Sequence, residues 1–344
     1  DNITLTGGTA NIVSTVSTGA GNDVITFTAE LDGASLDTAT AGTNDIIDGG
    51  DGTDTITATL SSGTANQKIG TVSNVENITL DFVQTGGSFN ASGGSFTTIT
   101  TNEGGTVVGD ITINNLSSSQ TVKILDGAAD YDDVALDYAD DATANIHIGD
   151  SATVVVDDVT TTDAQTVNIT SIGGTDSTTG LVTLDGTDTD FVTIASGAND
   201  SGLTTEAFTV NNIHTLSITT SHTNSHITLG TSVLATGSAE LTSLTVTAGG
   251  DDDSDIDITP LGATEAAAAL ETVTLTAADE ADIEVDSLDA EAATLTSITA
   301  TASTSGSSIA ASAAITAASV TTITASAVSG ATVDFAGDID ITTI

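Results

Sequence analysis

The chain has no cysteine, methionine, tryptophan or arginine, and its only proline is Pro260. Without cysteine there is neither a disulfide framework nor a thiolate metal site. Cationic side chains are almost missing as well: Lys68 and Lys123 stand against 48 acidic residues, for a formal net charge of −46. Nucleic acid and anionic membrane surfaces both recruit proteins through cationic contacts, so neither is an expected partner. The same charge opposes compaction by self-repulsion. Something that the side chains do not supply must offset it.

Aromatic residues make up only 3% of the 344 residues. A large globular core normally draws on aromatics and methionine, whereas a thin core of small β-branched residues does not need them. Long apolar runs are also absent. No stretch reads as a signal peptide or a membrane span, so no membrane insertion is expected. Helical periodicity is confined to T-E-A-A-A-A-L at 264–270, too short to form a stable helix alone.

What remains is rich in β-forming residues. Hydrophobic residues reach 38%, dominated by Ile, Val, Leu and Ala, and threonine is about a fifth of the chain. Disordered acidic chains are poor in such residues. Here they alternate with polar ones in short segments separated by Gly, Asp, Ser and Asn, the pattern of strands and turns.

The segments repeat. I-H-T-L-S-I-T-T (213–220), L-T-S-L-T-V-T-A (241–248), L-E-T-V-T-L-T-A (270–277), L-T-S-I-T-A-T-A (295–302) and V-T-T-I-T-A-S-A (320–327) start 28, 29, 25 and 25 residues apart. Each is followed by a polar turn and a second short strand: H-I-T-L (226–229), D-I-D-I (255–258), D-I-E-V (282–285), S-I-A-A (308–311) and T-V-D-F (332–335). Earlier copies are V-E-N-I-T-L (75–80) and F-T-T-I-T-T (96–101). Strand–turn–strand units at this period predict a solenoid: an all-β, parallel β-helix with Leu, Val, Ile and Ala inward and ladders of Thr and Ser outward. A pair of antiparallel sandwiches is the alternative. Three regions are expected: a glycine-rich β-roll-like segment over 1–60, an irregular solenoid with acidic turns over 61–205, and a regular solenoid over 206–344.

The acidic residues concentrate in turns. Gly49-Gly50-Asp51-Gly52-Thr53-Asp54-Thr55-Ile56-Thr57 matches the nonapeptide G-G-x-G-x-D-x-U-x at every fixed position, where U is a large apolar residue. Asp48 precedes it. Nine residues before Asp54, Asn44-Asp45 occupies the aspartate slot of a preceding copy. A third copy reads Thr18-Gly19-Ala20-Gly21-Asn22-Asp23-Val24-Ile25. Glycine allows positive φ and turns carbonyls toward one point; the aspartate adds carboxylate oxygens, and the apolar residue enters the core. Stacked turns of this kind form an all-oxygen cage, which suits Ca²⁺ better than Mg²⁺ or a transition metal. The expected ligands are Gly19, Gly21, Asn22, Asp23, Asn44, Asp45, Asp48, Gly50, Asp51, Gly52 and Asp54. Two further acidic turns are candidates: Asp185, Asp188 and Asp190, and Asp251, Asp253 and Asp255. Looser clusters are Asp126, Asp130, Asp132 and Asp133, and Asp279, Glu280 and Asp282; the alternative for all of these acidic turns is a solvated charged face.

The nonapeptide residues resemble the repeats-in-toxin (RTX) family of calcium-binding secreted bacterial proteins. With the Thr-, Ala-, Ser- and Asp-rich solenoid and the phrase V-S-N-V-E-N-I-T-L (72–80) beyond the motif, the chain looks like RTX-type bacterial surface-layer proteins. That resemblance implies export by a type I system, calcium-dependent folding, and assembly of identical copies into a lattice at the cell surface. The expected partners are further copies of the chain, several calcium ions, and cell-surface polysaccharide bound through an anchoring region outside this sequence. A segment of a large RTX adhesin or an extracellular filament is the alternative.

Catalysis is not expected. Many β-helices cleave acidic polysaccharides, but that chemistry uses cations to neutralise a uronate, and two lysines provide little. Paired aspartates could serve glycoside hydrolysis, yet aspartate is too abundant here for any pair to be informative. His222 and His226 lie four apart in strand-and-turn context, where they are too distant for one ion unless a turn intervenes; a surface or lattice role is expected.

Overall fold

The computed structural model describes residues 1–5, 15–31, 46–60, 67–82, 87–103, 109–125, 131–149, 155–172, 177–185, 190–210, 213–234, 241–251, 253–258, 270–285, 288–289, 295–311, 315–316, 320–336 and 339–340. The helix-like run at 264–269 lies outside them. The described residues form one 23-stranded sheet and two three-stranded sheets. Every strand pairing among them is parallel. The protein is therefore a parallel β-solenoid, and the sandwich alternative, which needs antiparallel ladders, is excluded. No helix among the described residues is long and apolar enough to cross a membrane.

Alternation sets the inside and the outside. The strands Thr55–Leu60, Asn77–Phe82, Ser243–Ala248 and Ser297–Ala302 each alternate half-buried and buried along their length. Because successive side chains of a strand point to opposite faces, one face of each of these strands goes wholly to the core. Stacking then aligns equivalent residues. One inward column runs from Ile3 through Ile25, Ile56, Ile78, Ile99, Val122, Ile146, Ile169, Ile194, Ile218, Val246, Leu275 and Ala300 to Ala325. From Ile25 to Ala300 its members are at most 4% exposed. The column passes residues 60 and 205 with the same parallel pairing as elsewhere.

Next to it on the outer face runs Thr4, Thr26, Thr57, Thr79, Thr100, Lys123, His147 and Thr170. Such hydroxyl ladders are the cross-strand contacts that favour threonine over other polar residues on a sheet. The second strands read from the repeats are present at His226–Leu234, Asp255–Ile258, Asp282–Val285, Ser308–Ala311 and Thr332–Phe335, and they pair with one another in that order. At the amino-terminal end a separate three-stranded sheet, Thr15–Ser17, Ile46–Asp48 and Thr71–Ser73, adds a further face. It buries Val16, Ile47 and Val72 and delivers the chain into the glycine-rich turns.

Candidate cation site in the stacked turns

Those turns lie on one another because the strands on both sides of them pair. Ser17 is in register with Asp48 and Ser73, while Val24 is in register with Thr55, and Thr55 with Asn77. The segment 18–23 therefore covers 49–54, which in turn covers 74–76. Ala20 and Asp51 form a parallel bridge. The Gly21 N–H donates to Asp51 O at 2.7 Å, and the Asp51 N–H donates to Gly19 O at 2.9 Å. Thr18 Oγ1 donates to Gly49 O at 2.6 Å, and the Thr53 N–H donates to Asn22 Oδ1 at 3.0 Å.

This contact explains the motif glycines. Gly50 and Gly52 have φ of +88° and +147°, and a Cβ on them would sit 1.7 Å from Gly19 O and 2.1 Å from Gly21 O. Both the turn conformation and the close approach of the coil above require glycine there.

The acid that ends each turn is buried. Asp23 is 1% exposed and Asp54 0%. One oxygen of each serves the stack: Asp54 Oδ1 accepts the Asp23 N–H at 2.8 Å, and the amino nitrogen of Asp1 lies against Asp23 Oδ1. The ladder continues downward, since the Asp54 N–H donates to Glu76 Oε2 at 2.8 Å. Each carboxylate thus accepts from the backbone of the coil before it. The second oxygens, Asp23 Oδ2 and Asp54 Oδ2, are buried without a hydrogen-bond partner. Stacking accounts for the first oxygens and not for these. A buried carboxylate left half-satisfied costs on the order of several kcal/mol; among the described residues no lysine pairs with either acid, and the Asp1 amino group meets Asp23 but not Asp54.

A hard divalent cation fits the donor set. The groups around these turns are carboxylate, carboxamide and backbone carbonyl oxygens, with neither imidazole nor thiolate, and Ca²⁺ takes about six to eight oxygens in flexible geometry. Among the described residues no group of three or more Asp, Glu, His or Cys side chains is arranged to hold a metal ion. An ion here would therefore complete its coordination with backbone carbonyls and Asn22, as the nonapeptide pattern anticipates.

The structure brings Gly19, Gly21, Asn22, Asp23, Asp48, Gly50, Asp51, Gly52 and Asp54 into two adjoining turns. The stacking partner of 49–54 is the copy 31 residues earlier (Asp23 N–H to Asp54 Oδ1). Asn44 and Asp45, nine residues before Asp54, lie outside the described residues. Asp48 Oδ1 accepts from Asn74 Nδ2 at 2.7 Å and from the Gly50 N–H at 3.2 Å.

The other candidate turns are tied up differently. Asp188 lies outside the described residues, and Asp185 ends the strand Ser177–Asp185 in register with Thr162. Asp190 Oδ1 is 2.8 Å from His214 Nδ1, and Asp190 Oδ2 accepts from Gln165 Nε2 at 3.1 Å. Asp251 Oδ1 accepts from the Asn224 N–H at 2.9 Å and from Ser254 Oγ at 2.7 Å; these bonds hold its carboxyl below the usual carboxylate range. Asp253 is exposed at the tip of that turn. Asp255 begins the next strand, in register with Asp282, and burial together with the Asp282 charge raises its pKa. A turn does separate His222 from His226. His226 Nδ1 lies 3.8 Å from Asp255 Oδ2, and His222 Nδ1 is 3.3 Å from Ser221 Oγ.

Two participants lay outside the sequence motif: Asn74, in the left-handed region at φ 51°, and Glu76. The signal for Glu76 was positional. Asp23, Asp54 and Glu76 each stand one residue before a strand position that pairs in register, Val24, Thr55 and Asn77. No family model, curated protein or solved structure matches the chain.

Proposed function

We propose that the protein is a structural component of a bacterial cell exterior: a β-solenoid stabilised by calcium at its acidic turns that assembles with further copies of itself into a surface layer. The observation that carries this reading is the pair of buried, half-satisfied carboxylates, Asp23 and Asp54, stacked in glycine-rich turns of a chain with formal net charge −46. Bound calcium would supply the positive charge that the side chains lack. The chain's own part is positional. Gly50 and Gly52 let the coils approach, Oδ1 of Asp54 fixes the backbone of the coil above, and Oδ2 remains for the ion. Ion binding to the folded form alone adds to folding stability. Between molecules, the same ion would bridge acidic faces that otherwise repel.

In this reading the protein is secreted, performs no catalysis, and is held at the cell by surface polysaccharide. Calcium titration of chelated protein, followed by circular dichroism and light scattering together, tests it. Ordered β-structure and then scattering should rise with calcium and reverse with EGTA. An ordered assembly that persists in excess EGTA would refute it, and filaments in place of sheets under electron microscopy would move the assignment to a fibre or adhesin.

A further inference from the structure

One outward face of the stacked strands carries almost no charge. The column that runs from Thr4 to Thr170 continues through Ala195, Thr219, Thr247, Thr276 and Thr301 to Ser326. Two residues earlier on each strand, a second outward column runs from Asn2 to Thr324 and holds only threonine, asparagine, Ser217 and Val24. A third, from Thr143 through Phe191 to Thr322, is also uncharged. Every member of the three columns is half-buried or exposed. Lys123 and His147 are their only ionisable residues, and no acid is among them, although the chain has 48. Strand propensity does not explain this, because Asp255, Asp257, Asp282, Glu284 and Asp334 all take outward places on the second row of strands. The uncharged face also carries two exposed apolar side chains, Phe191 at 50% and Val24 at 38%. Among the described residues, two side-chain hydrogen bonds join members of these columns: Thr272 Oγ1 donates to Ser243 Oγ at 3.2 Å and Asn168 Nδ2 to Asn145 Oδ1 at 3.0 Å. Most of the hydroxyls are therefore open to an outside partner.

We infer that this uncharged face is where a second copy of the chain packs, sheet against sheet about a two-fold axis. The inference rests on the reading that the chain assembles with itself, and it adds a contact that needs no ion between the partners. Charge selects the occupant. Two chains of net charge −46 repel through their acidic turns and second strand row, and charged residues are depleted at the centre of interfaces. This face lets two copies meet without opposing carboxylates. Its size is sufficient. The strands in register from Asn2 to Thr324 form a strip about 60 Å long and about 15 Å wide, roughly 900 Å², against about 800 Å² per partner in a stable interface. A two-fold contact uses the same patch on both copies, which near-uniform columns of threonine can satisfy. Threonine is stiff at χ1, so fixing it against a partner costs little side-chain entropy. Phe191 supplies the exposed aromatic anchor that such interfaces favour.

Sedimentation velocity of the purified chain in calcium chloride, over a series of protein concentrations, tests this face. The double variant Thr247→Glu, Thr276→Glu places carboxylates on it. The control Thr204→Glu, Thr228→Glu adds the same charge at outward, in-register positions of the second strand row. Circular dichroism establishes that both fold. Wild type and control should self-associate over the same concentrations, and the face variant should need at least tenfold more protein. A second readout needs no variant: Lys123, one of two lysines, lies on this face and should be acylated more slowly at associating concentrations than in dilute wild-type protein. A face variant that associates like wild type, a control weakened equally, or Lys123 reactivity independent of concentration overturns the face and leaves self-assembly standing. A wild-type chain that stays monomeric throughout overturns both.

Discussion

Lys123 and His147 are in register on neighbouring strands, so two of the chain's few basic groups are adjacent in an otherwise threonine-rich column. Burial first, and then the Lys123 charge, lower the His147 pKa below its ordinary 6.5. A base with a depressed folded-state pKa resists protonation in the native state. Its effect on stability is absent above the ordinary value and becomes unfavourable as pH falls from there through the lower folded value. Lys123→Gln should move the His147 titration, followed by NMR of the ring protons, back toward 6.5. An unchanged titration would mean that burial alone sets it.

The Asp255–Asp282 pairing should behave in the opposite sense. These acids lie in register, with Asp257 and Glu284 two residues along, and like charges across a pair are destabilising. Burial, then Asp282, raise the Asp255 pKa above 3.8. An acid with a raised folded pKa favours folding while protonated, and that contribution is lost as pH rises through the raised value. Asp255→Asn should therefore raise the thermal midpoint at neutral pH in EGTA and have no such effect once pH is below 3.8. A lower midpoint at neutral pH would show that the carboxylate is held by favourable contacts instead.

Core truncation should be costly but local. Ile146 is 0% exposed, in the inward column between Val122 and Ile169. Ile146→Ala should cost about 2–5 kcal/mol. Because solenoid coils touch only their neighbours, amide exchange should accelerate chiefly over the adjoining coils. Uniform acceleration along the chain would argue for all-or-none unfolding.

Much of the fold was legible in the sequence because a solenoid writes its geometry as repetition. The I-x-I and V-x-L alternation marked inward residues, and segments such as D-I-D-I and D-I-E-V emerged as the paired strands Asp255–Ile258 and Asp282–Val285. The pairing of motif turns was not legible. A nonapeptide suggests a neighbour nine residues away, whereas stacking depends on coil length, and the contact runs from Asp23 to Asp54. Glu76 was hidden because it stands in a turn without the glycines, and its role follows from the strand register that places it under Asp54. The acids of the later turns looked equivalent from composition. Asp190 and Asp251 in fact hold His214, Gln165 and Asn224 of neighbouring coils and, for Asp251, Ser254 of its own turn.

The measurement that tests the central claim most directly is the calcium dependence of thermal unfolding in the wild type and in the Asp23→Asn, Asp54→Asn double variant. The substitution keeps an oxygen for the ladder and replaces the unpartnered one with an amide. The wild-type midpoint should rise with calcium, corresponding to about 2.7 kcal/mol at a free concentration of about 100 times Kd for each site, while the double variant should lose most of that rise. Equal midpoints for the wild type in calcium and in EGTA would contradict the account.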